Sequence, residues 1–182
     1  MALLRARLAA AVVLLAATGP MLAFPSATPE QVQAAFLCSF VEFVDWPTGA
    51  PDSPVTIGIL GDDPFRKLVE ETARVRPLQT KPIVVKRVTG IEDALLCQMV
   101  YIGGSERKNL ESILRALSAA SILTVSDIQE FAQRGGMIGF TIEENRVRFA
   151  INVEAAERAN VRVSSRLLKL ARIVGPDGRS GS

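Results

Sequence analysis

The apolar positions of the chain follow two periods, and the change from one to the other marks out its elements. Leu37, Phe40, Val41 and Val44 recur at helical spacing, with Phe36 and Phe43 widening the stripe, so an opening helix is predicted. Thr28-Pro29-Glu30-Gln31 begins it with a threonine and a glutamine three apart, the spacing of a capping box, and with proline at the first helical position. Pro47, directly after Trp46, ends the run. Beyond the loop TGAPDSP comes VTIGIL at 55–60, a continuous apolar run that reads as a strand buried on both faces. In the Gly61-Asp62-Asp63-Pro64 that follows, Asp63 is placed to cap a second helix.

The same alternation repeats further on. IVVKRV at 83–88, MVYI at 99–102 and ILTV at 122–125 read as strands, and Gly103-Gly104-Ser105 leads into a helix carrying Leu110, Ile113, Leu114 and Leu117. Ser126 and Gln129 have the spacing of another capping box, before a short helix through Phe131. Strands alternating with helices predict an α/β fold, a three-layer sandwich around a mostly parallel sheet with right-handed crossovers. GGMIGFTIEENRVRFAIN at 135–152 breaks the alternation: it reads as an antiparallel hairpin at one edge of the sheet, turning at Glu143-Glu144-Asn145. Two closing helices are predicted, the second over about 164–172, and 175–182 reads as a disordered tail. One domain over 29–174 accounts for the whole pattern.

Ahead of that domain, Arg5 and Arg7 precede an apolar stretch at 8–17, and Met21-Leu22-Ala23 offers a small residue for cleavage. Residues 1–23 therefore read as a secretory signal peptide. The apolar stretch falls short of the roughly 20 residues that span a bilayer and no later one is longer, so no membrane insertion is expected after cleavage. Removing two of the 21 basic residues leaves 19 against 19 acidic ones. A balanced chain lacks the basic surplus that nucleic-acid binding uses to neutralise phosphates, which disfavours that class.

Candidate chemistry is sparse. The chain has no histidine, and no G-x-S-x-G, P-loop or C-x-x-C occurs, so Ser126-Asp127 lacks a base and neither an enzyme, a cofactor nor a metal is indicated. Asp62, Asp63, Ser105 and Ser126 follow strands, where ligands bind in open parallel sheets, although turns and helix caps account for them more simply. Cys38 and Cys97 would meet an oxidising compartment on export, where a bridge closing so long a loop contributes about 4 kcal/mol in the chain-entropy model. Cys38 lies off the middle of its helical stripe and Cys97 opens a buried strand, so both a bridge and two separately packed thiols stay open.

In the hairpin, Ile138, Phe140 and Ile142 share one face with Val147, Phe149 and Ile151, which directs Arg146 and Arg148 to the other. The two arginines read either as a solvated edge that discourages edge-to-edge association, or as a site for a carboxylate, a phosphate or an acidic partner. Trp46 offers a similar choice between packing where the first helix ends and serving as an exposed interface anchor.

Several blocks in order, FVEFVDWP, ILGDDPF, CQMVYIGGSE, ILTVSD, FAQRGGMIGF, RVRFAIN and VSSRLLKLARIV, together resemble the YfiR family of exported proteins over about residues 30–174. The resemblance implies a non-enzymatic periplasmic regulator. The best-understood member binds the periplasmic part of an inner-membrane diguanylate cyclase, YfiN, and keeps it from making cyclic di-GMP; a homodimer also fits the resemblance. Gln98 stands where relatives often carry histidine, Cys38 where many have tyrosine, and a second cysteine pair is absent, so redox control through two bridges does not carry over. The alternative reading is a periplasmic small-molecule sensor or carrier that holds its ligand at the strand ends.

Overall fold

The computed structural model describes residues 27–47, 53–61, 63–75 and 81–175. The predicted signal peptide, Asp62 and all but the first residue of the predicted tail lie outside them.

Thr28 caps α1 (Pro29–Phe40) as its spacing predicts: its Oγ1 accepts from Gln31 N at 3.3 Å, while Gln31 Oε1 accepts from Thr28 N at 2.9 Å. The helix stops short of Pro47. Turn bonds from Glu42 N to Ser39 O and from Phe43 N to Phe40 O release the chain, and Val44–Asp45 forms β1, a two-residue strand paired antiparallel with β8 (Arg162–Val163). Val44 is only 2% exposed in this ribbon, so long-range pairing buries the same apolar residue that a longer helix would have buried.

The larger sheet comprises β2 (Val55–Leu60), β3 (Ile83–Val88), β4 (Met99–Ile102), β5 (Leu123–Ser126), β6 (Ile138–Glu143), β7 (Arg146–Asn152) and β9 (Arg172–Val174), in the order β3-β2-β4-β5-β6-β7-β9. All its pairings are parallel except the β6–β7 hairpin. Continuous apolar runs are explained by burial on both faces. From β4, Met99 and Tyr101 enter one core cluster with α1 and α2 (Asp63–Arg74), whereas Val100 and Ile102 enter another with α3 (Ile91–Ala94) and α4 (Leu110–Leu117). Ala155 and Ala156 of α5 (Val153–Arg158) complete the first cluster. Helices on both faces of a mostly parallel sheet make this the predicted α/β sandwich.

Three local expectations are corrected. No helix runs through Phe131: Ser126 Oγ accepts from Ile128 N at 3.0 Å instead of capping at Gln129, and Glu130 has φ 59°, a left-handed conformation that breaks a helix. The last predicted helix shrinks to α6 (Ser165–Leu168), because Arg172–Val174 pairs with β7 and buries Val174 to 3% exposure. As a result the hairpin is one strand in from the margin along part of its length, since β9 lines Ala150–Asn152.

Candidate functional site

Glu144 and Asn145 both have positive φ, 49° and 59°, the backbone of a two-residue type I′ turn whose twist suits a hairpin. That turn fixes the register with Glu143 opposite Arg146, Thr141 opposite Arg148 and Phe140 opposite Phe149. Phe149 meets Phe36 and Phe40 edge to face, with ring centroids 5.4 Å apart in each pair, so the apolar face of the hairpin is clamped against α1. Since side chains alternate along a strand, Arg146 and Arg148 are exposed on the opposite face.

A third arginine joins them. Arg172 of β9 is in register with Ala150, which puts it on the face of Arg148. Its Nη1 lies 3.8 Å from Glu143 Oε1, with both side chains about half exposed, a pair of little strength in water. Arg146 and Arg148 have no ion-pair partner among the described residues. Sequence reasoning missed Arg172 because LLKLARIV has helical spacing; the β-branched Ile173-Val174 was the one signal of a strand.

Trp46 does not join this group. It is half-buried against the core cluster of α1, its indole N–H is enclosed without an acceptor among the described residues, and Lys81 Nζ stands 6.0 Å from the ring centroid. Lys81 precedes β3 at one margin of the sheet, whereas the arginines lie towards the other. Trp46 thus packs where α1 gives way to β1, with part of the residue still exposed.

Among the described residues, hydrogen bonds tie the loops at the strand ends together. Strand order reverses between β2 and β4, the place where an open parallel sheet leaves a crevice. Here Gly103 N donates to Leu60 O at 2.8 Å and Ser105 Oγ donates to Gly61 O at 3.0 Å. Gly61 has φ 91°, and a Cβ on it would meet Ser105 Oγ at 2.4 Å. Ser126, fully buried, donates to Ile102 O at 2.6 Å. Both hydroxyls stitch loops to strands; the side chain of Asp63, like Asp62, lies outside the description.

Cys38 and Cys97 are free thiols, so the bridge that the pattern left open is not formed. Cys38 packs in the cluster of α1 and α2, and Cys97 in the cluster on the opposite face of the sheet, while a disulfide needs Cα atoms within about 7 Å. Burial pushes the Cys97 thiol up, with Lys86 opposing the shift and Asp93 adding to it. Cys97 Sγ donates to Asp93 O at 3.5 Å.

The chain belongs to the YfiR/HmsC-like family, whose model matches residues 30–172. Among solved structures it is similar to a conserved domain protein of Vibrio cholerae O1 biovar El Tor, with a TM-score of 0.57 and 12% identity, covering 81% of this chain and 60% of that one. It is also similar to an ABC domain from Streptococcus pneumoniae solved in complex with L-Trp, with a TM-score of 0.53, 12% identity and the same coverage, 81% and 60%. The chain thus spans about 60% of each of those chains. At such identities the likeness is one of fold.

Proposed function

We propose that the protein is a periplasmic regulator that binds the periplasmic part of a YfiN-like inner-membrane diguanylate cyclase and represses it. The observation that carries this reading is the YfiR/HmsC-like match over residues 30–172, a regulatory family of the periplasm. Residues 1–23 would direct export. Among the described residues no helix is long and apolar enough to cross a membrane, which suits a partner that approaches the cyclase from the periplasm. A binder switches such an enzyme only by preferring one of its states, so the protein binds the inactive cyclase more tightly. The arginine face supplies groups for an acidic patch on that partner.

The test is direct. Purified protein added to membranes carrying a YfiN-like cyclase should lower cyclic di-GMP synthesis saturably, and a cyclase lacking its periplasmic part should not respond. A small-molecule sensor is the second reading, favoured by the L-Trp bound to one fold neighbour. It has less to rest on, because Ser105 and Ser126 already bond to backbone carbonyls.

A further inference from the structure

We infer that the free half of β7, with the groove beside it, is a strand-addition site for an extended acidic protein segment; that the segment belongs to the regulated partner rests on the function proposed above. β9 covers Ala150–Asn152 only, so residues 146–149 have no outer strand neighbour among the described residues. The two-residue turn makes Glu143–Arg146 a hydrogen-bonded pair, and alternation then points the N–H and C=O of Val147 outward, with the N–H of Phe149. Asn152 N, an even step along the strand from Arg146, donates inward to Met137 O at 2.8 Å, which is the phase this alternation requires.

The two sides of this edge differ. On one, a groove of about 510 Å³ runs between the start of α1 and the hairpin, lined by Val32, Phe36 and Val147 among others. Ile142, opposite Val147 on the same face, is 57% exposed. On the other side stand Arg148 and Arg172, while Arg146, next to the turn, also lines the groove and puts a guanidinium at its end. An added strand would therefore place apolar residues towards the groove and carboxylates towards the guanidinium groups, in strict alternation. A second copy of this chain, paired antiparallel through the same edge, would set these arginines against one another, and like charges placed opposite destabilise a strand pair. Charge complementarity thus selects an acidic segment.

The probe is an acetylated heptapeptide alternating glutamate with valine, titrated into the isotope-labelled full domain and followed by amide NMR. Saturable shifts at Val147 and Phe149, slower exchange of the Val147 amide, and at least tenfold weaker binding of the lysine–valine counterpart are expected. Val147→Pro removes an outward N–H and leaves the β6 ladder intact, so it should abolish binding. Should that variant not fold, Arg146→Glu with Arg148→Glu carries the test and should reverse the preference between the two peptides. No saturable shift, equal binding of both peptides, or self-association that Val147→Pro removes would overturn the assignment. A folded Val147→Pro protein that represses the cyclase as wild type does would remove the edge from the partner's site and spare the regulatory reading. A wild-type protein that takes the peptide at this edge yet leaves the cyclase unaffected would do the reverse.

Discussion

Asn152 Nδ2 donates to the carbonyl of Ala132 at 2.8 Å from a position with no solvent exposure. Its Oδ1 accepts from Ala155 N at 2.9 Å, capping α5, and its own N–H bonds to Met137 O. One side chain therefore ties the end of β7, the start of α5 and the turn segment before β6. Asn152→Ala should lower stability by about 2–4 kcal/mol, a cap of about 1 kcal/mol plus the desolvation of an orphaned carbonyl. The urea midpoint checks it. Asn152→Asp keeps the cap but turns an acceptor towards Ala132 O, and should be no more stable than the alanine variant.

Gly136 is a second structural demand. A Cβ there would lie 2.1 Å from Cε1 of Phe131, whose ring is 1% exposed and has no room to retreat. Gly136→Ala should cost about 1–3 kcal/mol. Pairing it with Phe131→Leu should recover part of the loss, as a double-mutant cycle would reveal.

The thiols set a pH dependence. Because burial holds the Cys97 thiol above its ordinary value of 9.0, the unfolded chain releases this proton at lower pH than the native one. The group's contribution is intact below about pH 9 and is lost as pH rises from there through the raised native value. Cys97→Ala should flatten that alkaline decline in denaturation midpoints. Iodoacetamide, which reacts with thiolate, should label neither cysteine in the native protein at pH 8 and both in urea, as read by mass spectrometry. An intramolecular disulfide in protein purified from the periplasm would contradict the separation of Cys38 and Cys97 across the sheet.

Replacing Arg146 and Arg148 together by glutamine should move stability by no more than about 0.5 kcal/mol, since both are exposed and have no ion-pair partner among the described residues. Binding to the cyclase should fall more than tenfold, with charge-assisted bonds of about 1.5–3 kcal/mol each removed. Added salt should weaken the wild-type complex and affect the variant much less. Thermal melts and affinities at two ionic strengths separate these effects.

Legibility in the sequence followed how local each cause was. Thr28–Gln31, the apolar strands and the β6–β7 hairpin were readable because spacing and turn chemistry within a few residues decide them. β1 and β9 were not, since Val44–Asp45 and Arg172–Val174 are strands only through partners more than a hundred and about twenty residues away in the chain. The site was half legible for the same reason: alternation directed Arg146 and Arg148 to one face, while Arg172 reached it through a pairing the pattern does not encode.

The central claim is best tested by the rate of cyclic di-GMP synthesis by a YfiN-like cyclase, held in membrane with its periplasmic part intact, as purified protein is added. The account predicts a saturable fall in rate, diminished for the Arg146→Gln, Arg148→Gln variant at equal concentration. An unchanged rate at saturating wild-type protein would contradict it.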